Sequence, residues 1–247
     1  MTGFTFSKYR AVIFDLDSTL TNTHRYPLRA SMWLLEQCTD DVESIAEDYL
    51  NHLIDNYRNG IREIVEGAPY RPPYEVVKRA MMESLSEVGL EVSPETLEEG
   101  TKLFRWLHVE TSTVYPGIEE FLIQLKALNL KLGVITNSFE KHLQLILSKL
   151  NLLHYFTCFV DGGDVKAFKP MKEPFLRMLD CLKVDVAQTL FIGDEYYADI
   201  VGATSLGMDA VWVNSRRVNL DEMIQKYGDV TRPILEIGAV VELKEYL

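Results

Sequence analysis

The stretch Ala11-Val12-Ile13-Phe14-Asp15-Leu16-Asp17-Ser18-Thr19-Leu20 decides how this 247-residue chain is interpreted. Its first four residues are apolar, partly β-branched or aromatic, and too few for a stable helix, so they predict a strand covered on both faces. In an open α/β sheet, ligands bind beyond the carboxyl ends of the strands. Asp15 and Asp17 stand at that end and point the same way if the strand continues through them. Two carboxylates so close repel, which raises the pKa of one of them unless a cation lies between them. The pattern therefore predicts a metal ion or a shared proton.

The overall composition indicates an acidic globular protein. Hydrophobic residues make up 47% of the chain, and 37 Asp and Glu against 25 Lys and Arg give a net charge of −12. Such a chain is not expected to bind the phosphates of nucleic acid. We expect no membrane partner, because no apolar run reaches the roughly 18 residues that a membrane span needs. Residues 1–9 lack an apolar segment behind a basic flank, which favours a cytoplasmic location. The oligomeric state cannot be read from the sequence.

The cysteines and histidines show no metal-binding pattern. Cys38, Cys158 and Cys181 lie far apart, without a CxxC or a histidine at zinc spacing. We therefore expect neither a zinc site nor a disulfide framework, and we interpret all three as small apolar residues of the interior. None of the five histidines, His24 included, is given a role.

Residues 21 to about 110 contain amphipathic segments and no strand-like run, which predicts a helical domain. Proline suits the first turn of a helix, so one helix is expected from near Pro27 and another from Ser93-Pro94, where the serine caps the end. Apolar residues at spacings of three and four predict a long helix over 42–66. A further helix is expected over 74–89.

From Pro116 onward helices and strands alternate, which predicts a parallel sheet. Strands are expected at 131–135, 158–161, 189–192 and 210–213, with helices at 118–128, 139–150, 173–182 and 198–206. Residues 1–20 and 115–247 then form one sheet domain. Residues 21–114 form a helical insert that would lie over the strand ends as a lid.

Reactive side chains follow three of the predicted strands. They are Asp15 and Asp17, then Thr136 and Asn137, then Asp194, with Lys169 in the loop before the last of these strands. The set suits hydrolysis of a phosphate monoester, a very slow reaction without catalysis. Asp15 could attack phosphorus, as carboxylates do in aspartyl-phosphate enzymes. Asp15 and Asp194 could hold Mg²⁺, which prefers oxygen ligands and accepts phosphate as one of them.

The other members of this set have matching tasks. The Thr136 hydroxyl and the backbone at Asn137 could hold the transferring oxygens, and Lys169 could balance their charge. A protonated Asp17 could donate to the leaving alkoxide and later deprotonate the attacking water.

Four short motifs resemble, in the right order, those of the haloacid dehalogenase superfamily. They are Asp15-Leu16-Asp17-Ser18-Thr19, Thr136-Asn137, Lys169-Pro170, and Gly193-Asp194 with Asp199. The resemblance implies an α/β fold: a Rossmann-like parallel sheet core with helices on both faces, in residues 1–20 and 115–247, and an inserted all-helical cap domain in residues 21–114. It also implies a Mg²⁺-dependent phosphatase acting on small sugar or organic-acid phosphates.

The resemblance assigns roles residue by residue. The nucleophile is Asp15, and the acid and base is Asp17, which also ligates the metal through its carbonyl oxygen. Thr136, Asn137 and Lys169 bind phosphate. The metal site consists of Asp15, Asp17 and Asp194.

The motifs leave three alternatives to a phosphatase. The dehalogenases of the superfamily carry an aromatic residue two places after the nucleophile, whereas Asp17 can protonate an alkoxide, so a phosphatase is favoured. A 2-haloacid dehalogenase remains an alternative because residues 70–90 are similar to the dehalogenase cap. A phosphomutase shares both aspartates, and a non-catalytic binding module is a third alternative. Glu195 either tightens the metal or faces solvent, Asp199 is either a first-turn acid or a site residue, and Lys166 and Lys172 compete with Lys169.

Overall fold

The computed structural model describes residues 4–23 and 25–247, so His24 lies outside the described residues. The chain divides into two compact units, Met1–Asn22 with Val114–Leu247, and Thr23–Thr113.

The first unit is built on a six-stranded sheet in which every neighbouring pair is parallel. Its strands and two short ones outside it are β1 (Ala11–Phe14), β2 (Thr21–Asn22), β3 (Thr113–Val114), β4 (Lys131–Thr136), β5 (Cys158–Asp161), β6 (Thr189–Gly193), β7 (Asp209–Val213) and β8 (Leu235–Ile237). The order in the sheet is β5-β4-β1-β6-β7-β8, and β2 pairs with β3 separately. The predicted parallel α/β sheet is confirmed.

Strand β1 lies near the middle of the sheet, and all four of its side chains are fully buried. It pairs with β4 on one side, in the register Ala11 to Lys131, and with β6 on the other, in the register Ala11 to Thr189. A strand buried on both faces is an unbroken apolar run. The sheet therefore holds the residues that follow β1 between the ends of β4 and β6.

Helices follow these strands at most of the predicted positions. The α-helices of this unit are α5 (Ile118–Ala127), α6 (His142–Lys149), α7 (Gly162–Val165), α8 (Lys172–Leu182), α9 (Gly202–Ser205) and α10 (Leu220–Tyr227), with 3₁₀ turns at Phe6–Lys8, Leu153–Tyr155, Val186–Gln188, Asp229–Thr231 and Val240–Tyr246. Helices α7 and α10 lie where none was predicted, and two of the four predicted helices differ by more than one residue. Helix α6 begins three residues late, and the helix expected over 198–206 is a π-helical turn, Tyr196–Val201, that continues into α9.

The second unit contains four α-helices among its described residues: α1 (Arg25–Glu36), α2 (Val42–Val65), α3 (Pro73–Glu87) and α4 (Pro94–Thr111). The predicted cap of α4 is confirmed, because the Ser93 hydroxyl accepts a hydrogen bond from the N–H of Thr96 at 3.1 Å. The short β2 and the first residue of β3 fall where no strand was expected. No helix within the described ranges has the length and apolar character required to traverse a bilayer.

The interpretation of the cysteines is wrong for two of the three. Cys158 in β5 and Cys181 in α8 form a disulfide, with their Cα atoms 6.1 Å apart, while Cys38 is free. The physical reason is topological, because α8 packs on β5 and thereby brings together two positions 23 residues apart. Sequence spacing alone carries no signal for such a pair.

Candidate active site at the carboxyl ends of β1, β4 and β6

The residues that follow β1 and β6, and the last residue of β4, meet at one edge of the sheet. The N–H of Asp15 donates to the carbonyl of Ile192 at 2.9 Å, which continues the pairing one residue beyond β1. Asp194 directly follows β6, and Thr136 ends β4. All three side chains are buried. The order of the strands thus explains why residues far apart in sequence lie together.

Lys169 forms a buried ion-paired centre with two aspartates. Its Nζ lies 2.6 Å from Oδ1 of Asp15 and 2.7 Å from Oδ1 of Asp199, and it also donates to the carbonyl of Ile135 at 3.1 Å. The lysine side chain is only 2% exposed. Lys169, rather than Lys166 or Lys172, therefore supplies the ammonium at this centre.

Asn137 fixes the backbone of Lys169. Its amide nitrogen donates to the Lys169 carbonyl at 2.9 Å, and its Oδ1 accepts from the Lys169 N–H at 2.8 Å. The side chain of Asn137 is thus used to position the lysine. Next to it, the Thr136 hydroxyl accepts a hydrogen bond from the N–H of Ser138 at 3.0 Å.

Asp199, whose role the sequence left open, belongs to this centre. Its second oxygen, Oδ2, accepts from the N–H of Glu195 at 2.9 Å across the π-helical turn. A methyl group at Gly193 would lie 2.4 Å from that oxygen, so β6 ends in glycine to leave room for the carboxylate. Asp199 is therefore both a backbone-bonded acid of its turn and a partner of Lys169.

Asp194 is held on its backbone and its side chain. The indole N–H of Trp212 donates to the Asp194 carbonyl at 2.9 Å, and Oδ1 of Asp194 accepts a long bond of 3.5 Å from the Thr19 hydroxyl. Arg216, which the sequence analysis missed, has its Nη2 3.4 Å from Oδ2 of Asp194. Its Nη1 lies 2.8 Å from Glu195, whose side chain is 40% exposed. No motif marks Arg216 in the sequence.

Asp17 occupies a tight turn and not a continued strand. Strand β1 ends at Phe14, and the N–H groups of Leu20 and Thr21 both donate to the carbonyl of Leu16 at 3.0 Å. Asp15 and Asp17 are therefore not alternate residues of one strand, as the sequence predicted, because the chain turns after Leu16. The carboxylate of Asp17 is nevertheless near enough to raise the pKa of Asp15.

Burial dominates the electrostatics of this site. It raises the pKa of Asp15 to about 7, against the opposing effect of Lys169, and the charges of Asp199 and Asp17 contribute to the rise. Repulsion between carboxylates, the cause expected from the sequence, contributes less to this rise than burial does. Burial also raises the pKa values of Asp194 and Asp199. For Lys169, burial alone would lower the pKa, but the two aspartates outweigh it and raise the pKa.

The donor set fits a hard divalent cation. Asp15, Asp194 and Asp199 each offer a carboxylate oxygen, and these oxygens lie within 4.8 Å of one another. Both oxygens of Asp199 already accept hydrogen bonds, from Lys169 and from the Glu195 N–H. Asp15 and Asp194 are therefore the better-placed ligands. Carboxylate oxygens in this arrangement match the preference of Mg²⁺.

The first unit thus combines a parallel α/β sheet with a buried acid–lysine centre at the carboxyl edge of that sheet. Residues 9–207 match the family model of the haloacid dehalogenase-like hydrolases. Because this match covers most of the chain, the protein belongs to that family and is a hydrolase. The resemblance seen in the four motifs is confirmed.

Similar proteins of known name include several phosphatases. The chain is 26% identical to the glyceraldehyde 3-phosphate phosphatase of Methanothermobacter thermautotrophicus, over 96% of this chain and 99% of that one. It is 28% identical to the phosphoglycolate phosphatase of Neisseria meningitidis, over 96% and 93% of the two chains. It is also 26% identical to the pyrophosphatase PpaX of Bacillus mycoides, over 92% and 97%.

Solved structures share the whole fold. The HAD-hydrolase YfnB from Bacillus subtilis, solved with bound magnesium, superimposes with a TM-score of 0.76 at 24% identity, over 96% of this chain and 97% of that one. The L-2-haloacid dehalogenase of Xanthobacter autotrophicus superimposes with a TM-score of 0.72 at 18% identity, over 96% and 97%. At these identities the likeness shows the fold alone.

Proposed function

We propose that this hydrolase is a Mg²⁺-dependent phosphatase that cleaves small phosphomonoesters through an aspartyl-phosphate on Asp15. The observation that carries the proposal is the buried Asp15 carboxylate, held at 2.6 Å by Lys169 at the carboxyl end of the central strand. A carboxylate fixed by one oxygen presents its other oxygen in a defined direction, which is what in-line attack on phosphorus requires. The phosphatase names of the relatives support the same reaction.

In the first step, an Asp15 oxygen forms a bond to phosphorus while the bond from phosphorus to the ester oxygen breaks. Asp17, as a carboxylic acid, gives its proton to the departing alkoxide, so the alcohol leaves neutral. Lys169 lies against Asp15 and offsets the negative charge that builds up on the transferring group. The Thr136 hydroxyl and the backbone at Asn137 are the proposed binders of the phosphoryl oxygens.

In the second step, Asp17 is a carboxylate and takes a proton from water as the water oxygen attacks phosphorus. The bond from phosphorus to Asp15 breaks, inorganic phosphate leaves, and both aspartates return to their starting states. Asp17 lies in a half-buried turn, whereas Asp15 and Asp194 are buried, so Asp17 is the aspartate of this set most accessible to water.

The carboxylates of Asp15 and Asp194, with the carbonyl oxygen of Asp17, would hold Mg²⁺. When bound, the cation supplies positive charge that lets the anionic nucleophile and the anionic phosphate approach each other.

Asp17 also favours a phosphatase over a dehalogenase. A halide leaves without a proton, whereas an alkoxide needs one, and Asp17 supplies an acid two residues after the nucleophile. A phosphomutase would use both aspartates as well, but it must keep water from the phosphoenzyme, and none of the named relatives reported above is a mutase.

Two further expectations belong to this proposal. The helical unit, residues 23–113, would act as a cap that selects the alcohol part of the substrate.

The cytoplasm is the proposed location, since small phosphate esters are intracellular metabolites. The Cys158–Cys181 disulfide argues the other way, because such bonds are rare in reducing cytosol outside hyperthermophiles. Cell fractionation decides this point.

The test is phosphate release from a panel of small phosphomonoesters, with Mg²⁺ and with EDTA, alongside halide release from 2-chloropropionate. We expect Mg²⁺-dependent phosphate release that Asp15→Asn abolishes and Asp17→Asn reduces by two orders of magnitude or more, within the range of roughly 10²–10⁴-fold for acid–base catalysis. The matched control is Asp229→Asn, at a carboxylate that is 90% exposed, which should act like the wild type. Metal-independent halide release without phosphate release would refute the proposal.

A further inference from the structure

Arg216 contacts two consecutive acids at the end of β6 from the loop that follows β7. Its Nη2 donates to the Asp194 carbonyl at 3.3 Å and lies 3.4 Å from Oδ2 of the same residue. Its Nη1 donates to Oε1 of Glu195 at 2.8 Å. The planar fork of arginine can make such contacts together, whereas lysine presents a single point charge. One guanidinium thus binds Asp194 at both its backbone and its side chain.

We infer that Arg216 is a positioning residue for the Mg²⁺ site, which fixes the Asp194 carboxylate as a metal ligand and holds the Glu195 carboxylate away from the metal. This inference rests on the proposed function, in which Asp194 binds the cation. Partners in the outer shell of a metal site orient the ligands and commonly change metal affinity by 10–100-fold when they are replaced.

Glu195 is the second carboxylate that Arg216 holds. Its side chain is 40% exposed, whereas that of Asp194 is only 7% exposed, so Glu195 has room to move. An unrestrained carboxylate next to a metal ligand would offer competing oxygens. The 2.8 Å ion pair with Arg216 restrains it. Because the same guanidinium contacts Asp194, it restrains Glu195 and orients the Asp194 carboxylate together.

The charge of Arg216 and its contacts with Asp194 affect the Mg²⁺ affinity in opposite directions. Removing a positive charge near the site would by itself strengthen the attraction for Mg²⁺. Arg216 is 45% exposed, so water screens this effect. Losing the fork would weaken Mg²⁺ binding by letting the Asp194 carboxylate rotate. The direction of the change in affinity therefore distinguishes positioning from a pure charge effect.

The experiment titrates MgCl₂ into the substrate-free protein and follows the melting temperature, so that Mg²⁺ affinity is measured without activity. The variants are Arg216→Gln and Arg216→Lys, with Arg217→Gln as the matched control from the same exposed loop. We expect Mg²⁺ affinity about tenfold weaker in Arg216→Gln, less weakened in Arg216→Lys, and unchanged in the control. Each affinity is taken from the Mg²⁺-induced shift relative to the same protein in EDTA, so a difference in metal-free stability between the variants does not enter it. With a phosphomonoester, kcat/KM of Arg216→Gln should fall at low Mg²⁺ and recover at saturating Mg²⁺.

Two results overturn the inference in distinguishable ways. Tighter Mg²⁺ binding in Arg216→Gln, together with wild-type binding in Arg216→Lys, would reduce the role of Arg216 to its charge. A Mg²⁺ affinity equal to that of the wild type in both Arg216 variants would show that Arg216 has no role in metal binding. In either case the wild type still binds Mg²⁺ and the proposed function stands. A wild type without any Mg²⁺-dependent shift would instead overturn the proposed metal site, and this inference with it.

Discussion

The Cys158–Cys181 disulfide closes a loop that contains Lys169, so breaking it tests how firmly this part of the core is held. The substitution is Cys181→Ser, because Cys181 is exposed and the exchange leaves the buried Cys158 in place. The two cysteines are 23 residues apart. For such a loop, the chain-entropy model gives a loss of about 3.4 kcal/mol in the free energy of unfolding. At about 2 °C per kcal/mol for a chain of this length, the melting temperature should fall by about 7 °C.

The assay is thermal unfolding of the wild type and Cys181→Ser, each with and without dithiothreitol. The reductant should lower the melting temperature of the wild type to that of the variant and leave the variant unchanged. Cys38→Ser is the control, because Cys38 is the free cysteine among the described residues. Alkylation of the unfolded chain should find one free thiol before reduction and three after it. Three thiols without reductant, or a variant as stable as the wild type, would refute the reasoning.

Three further predictions concern the acid–lysine centre. Lys169→Met should lower the free energy of unfolding by about 3–5 kcal/mol, because it leaves two buried carboxylates without their cation, and it should abolish phosphate release. Urea unfolding at neutral pH measures the loss of stability, and a variant as stable as the wild type would contradict the prediction. Gly193→Ala should displace Asp199, since the added methyl would lie 2.4 Å from its carboxylate. The free energy of unfolding should fall by about 1–3 kcal/mol, and an active variant with wild-type stability would contradict this prediction. In EDTA, the melting temperature should fall as pH rises from about 4 to 7, because the pKa of Asp15 is about 7 in the folded protein and 3.8 in the unfolded chain. Mg²⁺ should restore stability mainly at the upper end of this range. A melting temperature independent of pH in EDTA would refute the raised pKa of Asp15.

Much of the fold follows from local patterns. The apolar run of β1 is fully buried, and the serine–proline pair at residues 93 and 94 begins α4. In both cases the signal lies within a few neighbouring residues. The π-helical turn at 196–201 was not predicted; in it Asp199 accepts the Glu195 N–H through one oxygen and binds Lys169 through the other, and the second contact is distant in sequence.

The site was harder to predict than the fold for the same reason. Asp15, Lys169 and Asp194 could be named from short motifs, and the sheet brings them to one edge. The contact between Lys169 and Asp199 spans 30 residues, and Arg216 is one of many charged loop residues, so neither contact has a sequence signature. The disulfide was missed because its pairing depends on how α8 packs against β5.

The arrangement of charges links these observations. Two cations each contact two acids: Lys169 pairs with Asp15 and Asp199, and Arg216 pairs with Asp194 and Glu195. Four carboxylates and two cations leave two negative charges when all groups are ionised.

Without a metal ion, burial opposes that excess and raises the pKa values of Asp15, Asp194 and Asp199, that of Asp15 to about 7. A divalent cation removes the same excess without protons. Binding of Mg²⁺ should therefore release protons near neutral pH. On this argument the nucleophile becomes fully ionised only when the metal ion that brings phosphate to it is bound.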